Sequence, residues 1–158
     1  MSDVEVRPAT SSDAPAIERV GRETWPSTYG FAGEEYIAHG LETWWSEEAV
    51  LRGIDATRTF VAESHGEVVG MGNIDLRHEK PIIWKLYVLP DYHGCGAGNA
   101  LMARLLVAAP PGSAVLLEYS EGNARAAVFY EHHGFVELRR DAPEVAGWPV
   151  QVWMVHHP

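Results

Sequence analysis

The stretch Ile82-Ile83-Trp84-Lys85-Leu86-Tyr87-Val88-Leu89, ended by Pro90 and followed closely by Gly94-Cys95-Gly96-Ala97-Gly98, constrains this chain more than any other segment. An apolar run of that length, broken by one lysine, reads as a strand. The alternate glycines then call for a loop. Leu101, Met102, Leu105, Leu106 and Ala109 recur at helical spacing as far as Pro110-Pro111-Gly112, so a helix with one apolar face follows. Strand, glycine loop and helix in that order bring backbone N–H groups and the positive end of a helix to one point, which suits a phosphate. By itself the motif is weak. It lacks the Lys-Ser/Thr of a P-loop, and Asn99 stands where a dinucleotide fingerprint needs a small residue.

The remaining pattern supplies a sheet and its flanking helices. Val4-Glu5-Val6 alternates like a short strand, and Pro8 to Asp13 forms a turn rich in helix caps. Ala14, Ile17, Val20 and Trp25 predict a helix up to Pro26, and a second helical stretch from about Glu34 carries Tyr36, Ile37, Leu41, Trp44 and Trp45, with Gly30 and Gly33 as the hinge. Thr59–Ala62 and Val68–Gly72 flank Ser64-His65-Gly66 as a hairpin whose second strand continues to Leu76. Ala114-Val115-Leu116-Leu117 restarts as a strand, continuous in its apolarity as if buried on both faces. Asn123 can cap a helix through Ala126, Ala127, Phe129 and Tyr130 that stops at Gly134, before strands at Phe135–Arg139 and Val150–Val155. No repeat or linker divides the 158 residues, so residues 1–158 form a single α+β domain around a mixed, mostly antiparallel sheet.

Twelve basic residues against 22 acidic ones leave a formal net charge of −10, which argues against nucleic acid as a partner and favours a cationic or neutral one. One cysteine, Cys95, makes neither a disulfide framework nor a thiolate zinc site, and the paired His132-His133 and His156-His157 lack metal-ligand spacing, so no metal is expected. Met1 to Glu5 shows no basic or apolar leader and no run approaches membrane length; the expectation is a cytoplasmic protein without membrane contact.

A second block, Asn123-Ala124-Arg125-Ala126-Ala127-Val128-Phe129-Tyr130-Glu131-His132-His133-Gly134-Phe135, lies after the strand that follows the glycine loop. Together with Leu86 to Pro90 and His93 to Gly98, it resembles the signatures of the GNAT superfamily of acyl-CoA-dependent N-acetyltransferases, and the order of elements matches over almost the whole chain. His93 departs from the usual Gln or Arg, and Cys95 from the common Lys or Arg. Because main-chain amides hold most of the pyrophosphate in that family, both changes should weaken cofactor binding modestly at most.

The resemblance implies acetyl-CoA as cofactor, lying between two parallel strands that splay apart, here Ile82–Leu89 and Ala114–Tyr119. Leu86, Tyr87, Val88, His93, Gly94, Cys95, Gly96, Ala97, Gly98, Asn99, Asn123, Ala126, Phe129 and Tyr130 are then the cofactor-binding residues, with the freed backbone of Leu86 and Val88 bonding the pantetheine arm. It also implies direct transfer to an amine without a covalent acetyl-enzyme. An alkylamine of pKa near ~10.4 is only about 0.04% neutral at pH 7, so a base is needed. Glu118 is the candidate, since some protein N-terminal acetyltransferases of the family carry a glutamate twelve residues before the tyrosine, the spacing of Glu118 to Tyr130. Glu118 faces the amine if Leu116 points in and Leu117 out. Tyr130 holds the position of the family's usual acid.

In this superfamily the first two helices roof the acceptor. Trp25, Tyr29, Phe31, Glu34, Glu35 and Tyr36, with Trp84, would line that side and receive a small amine, a polyamine or a peptide amino terminus, in keeping with a cationic partner. Two rivals stand beside this reading: an acyl-CoA-binding sensor without turnover, and a dinucleotide-binding oxidoreductase, which Asn99 disfavours. Pairing of two chains through the last strands is left open.

Overall fold

The computed structural model describes residues 3–158; the expectation drawn from Met1 to Glu5 falls partly on Met1 and Ser2, outside the described residues. In chain order the elements are β1 (Val4–Pro8), α1 (Ala14–Thr28), α2 (Glu34–Trp44), α3 (Glu47–Ala56), β2 (Arg58–Ser64), β3 (Glu67–Asp75), β4 (Ile82–Val88), α4 (Ala97–Ala108), β5 (Val115–Ser120), α5 (Ala124–His132), β6 (Phe135–Asp141) and β7 (Gln151–His156). The sheet runs β1-β2-β3-β4-β5-β7-β6. Every neighbouring pair is antiparallel except β4 and β5, which α4 joins as a crossover.

Two helical boundaries differ from the sequence expectation. α1 continues through Pro26 to Thr28. A proline this near the C-terminus removes only one ladder bond, and the turn still closes with Tyr29 N–H donating to the Trp25 carbonyl at 2.8 Å. α3 was not expected as a separate helix; it begins at Ser46, whose hydroxyl accepts from the Ala49 amide at 3.2 Å, with Glu47 and Glu48 complementing the helix dipole.

The helices cover the sheet on both faces. On one, Ile17 of α1 and Val50 of α3 lie beside Met71, with Val20 and Trp45 in the same buried core. On the other, Leu101 and Leu105 of α4 sit over Gly70 and Gly72, where an added Cβ would come within 3.3 and 3.0 Å of those leucines. Trp45 lies flat on Gly21 and Trp25 on Gly40; a Cβ at either glycine would fall 2.1 Å from the ring. Truncating a tryptophan seated so tightly costs about 3–5 kcal/mol.

β4 carries the irregularity that shapes the molecule. Lys85 pairs with Asn73 and Ile83 with Ile74, so Trp84 is an extra residue without a partner on β3. The Asn73 side chain fixes the register there, accepting from the Lys85 amide at 2.9 Å. Across the bulge the side-chain alternation reverses. β4 meets β5 only at Ile82–Leu116 and Ile83–Leu117, although the strands extend to Val88 and Ser120. Beyond that contact they splay, and β5 is held along its other edge by β7 from Val115 to Ser120.

Candidate active site

The splay opens a cleft of about 360 Å³ between β4 and β5. Leu89 N–H donates to the Val69 carbonyl at 2.8 Å. That bond makes Val88 and Gly70 a non-hydrogen-bonded pair, so the N–H and C=O of Val88, and by the period of two those of Leu86, point away from β3 into the cleft. His93 occupies one of them: its Nε2–H donates to the Val88 carbonyl at 2.8 Å.

At one end the cleft is lined by His93, Gly94, Gly96, Gly98 and Asn99. Gly94 and Gly96 have φ of 86° and 93°, a conformation that favours glycine and turns the backbone into the N-terminus of α4. Among the described residues no side chain caps this terminus, and its first turn holds no acidic residue. The leading N–H groups of α4 therefore have no intrahelical acceptor, an arrangement suited to an anion. Across the cleft, Arg125 lies in the first turn of α5, where a cation opposes the helix dipole unless an anion sits beside it. Asn123 both lines the cleft and caps α5, accepting from the Ala126 amide at 3.2 Å. His133 donates to the Asn99 amide oxygen at 2.8 Å and ties the two helices together.

Five phenols line the cleft: Tyr29, Tyr87, Tyr92, Tyr119 and Tyr130. The Tyr29 and Tyr87 hydroxyls are hydrogen-bonded at 2.8 Å. Burial pushes Tyr29 up to about 12 and Tyr87 well above its ordinary value. The Tyr130 ring packs among Tyr119, Phe129 and Phe135 with centroids 5.6–6.2 Å away. Its hydroxyl makes no hydrogen bond to another described side chain, and burial holds it protonated well above the usual phenol range. A protonated donor that lines the cleft and has no side-chain partner among the described residues is equipped to serve a group that enters.

Glu118 lines the opposite wall. Leu117, not Leu116, is the fully buried neighbour. Glu118 shares the face of Leu116 and of its ladder partner Trp153, so the expected alternation is inverted although the carboxylate still borders the cleft. Desolvation first, and Asp141 second, raise its pKa; Arg139 works the other way. Lys85 also borders the cleft, with Nζ donating to the Trp44 carbonyl and lying 4.1 Å from the Trp45 ring; burial lowers it to about 8. Against the formal charge of −10, the cleft is lined by Lys85, Arg125 and His93 and one carboxylate, Glu118.

Of the expected cofactor residues, Leu86, Tyr87, Val88, His93, Gly94, Gly96, Gly98, Asn99, Asn123, Ala126, Phe129 and Tyr130 line this cleft, whereas Cys95 and Ala97 are not part of its lining. On the acceptor side Tyr29 and Trp84 are in place, joined by Thr24 and Thr28. Five others are not. Trp25 and Tyr36 are buried at 3% and 6% exposure and stack with centroids 5.8 Å apart, because α1 turns that face onto Gly40 of α2. Phe31 packs beside Gly122, and Glu34 and Glu35 stand exposed on the first turn of α2. Arg125, Lys85, Thr24 and Thr28 were not anticipated; the sequence signal for Arg125 is a cation two residues after a helix cap.

Comparison with known proteins finds relatives of both the sequence and the fold. Residues 55–137 match the acetyltransferase (GNAT) domain family. An uncharacterised N-acetyltransferase of Mycobacterium bovis is 32% identical over 130 residues, 78% of this chain and 83% of the relative, and one of Mycobacterium tuberculosis matches equally. Among solved structures, the PaiA N-acetyltransferase of Thermoplasma acidophilum in complex with coenzyme A superposes with a TM-score of 0.83 over the whole of both chains at 22% identity. The ribosomal-protein-S18-alanine N-acetyltransferase of Escherichia coli does so with 0.75, at 20% identity over 98% of this chain and 93% of its own. The fold is common to these solved structures.

Proposed function

The chain belongs to the GNAT acetyltransferases, and from that premise we propose that it moves the acetyl group of acetyl-CoA directly to a primary amine: a small amine, a polyamine or a peptide amino terminus. One observation carries the reading. The uncapped N-terminus of α4, the Tyr130 hydroxyl and the Glu118 carboxylate all border a single cleft where β4 and β5 part. The cleft fits the coenzyme: the open amides of α4 and Arg125 would hold its pyrophosphate, and the unpaired edge of β4 at Leu86 and Val88 would bond its pantetheine arm. When bound, acetyl-CoA supplies an activated thioester.

The protein's own groups do the rest. Glu118, made more basic by burial, takes a proton from the incoming ammonium, directly or through water. The raised pKa narrows the gap between this carboxylate and an alkylammonium. Tyr130 gives a hydrogen bond to the departing sulfur. The packed phenols around it exclude water, which would otherwise compete for the acetyl group.

Release of free thiol from acetyl-CoA, followed with a panel of polyamines, amino acids, aminoglycosides and short peptides, tests the reading. Thiol release that depends on an amine supports it. Acetyl-CoA binding, seen as a thermal shift, with no thiol release for any amine would overturn transfer in favour of a sensor.

A further inference from the structure

The outer rim of the cleft holds an assembly that the transfer step leaves unexplained. Asp75, at the end of β3, is 1% exposed. Its carboxylate accepts from the backbone N–H, Nε and Nη2 of Arg77 at 3.0, 2.9 and 2.9 Å, and lies 3.1 Å from the His78 ring. The last donor is Trp84, whose Nε1–H reaches Asp75 at 3.2 Å. Those bonds, the Arg77 guanidinium first, hold the Asp75 carboxyl far below the usual range. A carboxylate withdrawn from water so fully needs such donors to persist. What the cluster fixes in space is an indole that is 40% exposed, pushed out by the β4 bulge and bordering the cleft.

The same device recurs beside it. Trp153, the ladder partner of Glu118, donates its Nε1–H to Asp141 at 2.9 Å and stands 6.0 Å from Trp84 at 76°. The Arg139 guanidinium lies 4.9 Å from the Trp153 ring. Each indole thus gives its N–H to a carboxylate, which enriches the ring's π face, and one already seats a cation. Among the described residues no lysine or arginine lies over Trp84, and its ring meets His78 edge-on at 6.3 Å. Arg77 and Arg139 are bonded to Asp75 and Asp141, and Lys85 gives its Nζ to the Trp44 carbonyl, while Glu118 has no ion-pair partner among the described residues.

We propose that the Asp75–Arg77–His78 cluster is a positioning device that holds Trp84 as a cation platform, and that the acceptor is a diamine or longer oligoamine. Its reacting amine goes to Glu118 and a second ammonium rests on the Trp84 ring. The proposal relies on the transfer reading above and narrows its acceptor class.

The test compares 1,5-diaminopentane with pentylamine, which differ by the distal amine alone. The wild-type enzyme should show the lower KM for the diamine, and Trp84→Ala should raise that KM about tenfold more than the KM for the monoamine, with Trp84→Phe between them. Asp75→Asn should raise the diamine KM in the same sense, with the loss in KM rather than kcat, and add nothing in a Trp84→Ala background. A merely structural role for Asp75 would give additive losses instead. Because Trp84 is exposed, its variants should fold even if Asp75→Asn does not. Equal KM values for the two amines, or a Trp84→Ala enzyme that keeps the diamine preference, would overturn the platform. Calorimetric binding of the diamine to the CoA-loaded protein separates the two levels: binding that depends on Trp84 supports the platform even if no thiol is released, and a failure of thiol release then counts against transfer alone.

Discussion

Removing one oxygen from Tyr130 tests the acid end of the mechanism. Tyr130→Phe keeps the ring that packs against Tyr119, Phe129 and Phe135. The hydroxyl makes no hydrogen bond to another described side chain, so no partner is left unsatisfied, and stability should hold within about 0.5 kcal/mol. The kinetic cost follows from the direction of the pKa shift. Burial raises this phenol well above its ordinary ~10, whereas an alkyl thiol sits near ~8.5, so complete proton transfer to the leaving sulfur runs uphill. The phenol therefore acts chiefly as a hydrogen-bond donor to a developing thiolate. A bond to a charged group is worth roughly 1.5–3 kcal/mol, which predicts a fall in kcat of about 10- to 150-fold, with the KM for acetyl-CoA little changed. Steady-state thiol release measures both constants, and the thermal midpoint controls for folding. A kcat within twofold of wild type would remove Tyr130 from the chemistry. A fall beyond about 1,000-fold would refute the donor argument and require full transfer.

Three further outcomes follow from the same geometry. Gly96→Val places a branched side chain at φ 93° and in the path of a phosphate, so the thermal shift produced by acetyl-CoA should vanish; a normal shift contradicts the cradle. Glu118→Gln should abolish the acidic limb of the kcat/KM profile, which in the wild type lies above the ordinary carboxylate value because burial raises Glu118; a limb that survives assigns the proton to another group. Asp13 and Asp75 are both depressed by arginine donors, so they contribute stability that is complete above about pH 4 and is lost as pH falls toward their folded values; a thermal midpoint that is flat from pH 6 to pH 2.5 would contradict this sign.

The elements that were legible are those whose signals are local. The Ile82–Leu89 run, the glycine bend, the cap at Asn123 and the stop at Gly134 each specify structure within a few residues, and all recur as β4, the turn into α4, and α5. Pro26 misled because its cost depends on how many turns follow it, and only one does. Trp25 misled for another reason. An aromatic residue on an amphipathic helix faces the core or the cleft according to what lies opposite, and the opposing feature here is the missing side chain of Gly40, fifteen residues away on another helix.

The bulge at Trp84 was least legible and matters most. One extra residue in β4 reverses which side chains face α1 and α3, and nothing in the alternation of Ile82 to Val88 marks where the reversal falls. The register there is fixed by a side chain of the neighbouring strand, Asn73, bonding the Lys85 amide, a contact between segments twelve residues apart. From that single bond follow an exposed indole and the re-aimed strand beyond it; with pairing to β5 ended at Ile83, the backbone of Leu86 and Val88 opens toward the cleft. Electrostatics obeys the same logic. The composition carries ten excess negative charges, yet the surface that would meet a coenzyme diphosphate presents Arg125, His93 and the open amides of α4. With a Debye length of about 8 Å at physiological salt, exposed acids elsewhere on the surface are screened from an anion held at that bend, so the local groups outweigh the total. A charge count over the whole sequence thus bears on which partners gather, while the sign of the binding cleft depends on which few residues the splay of β4 and β5 brings to its edge.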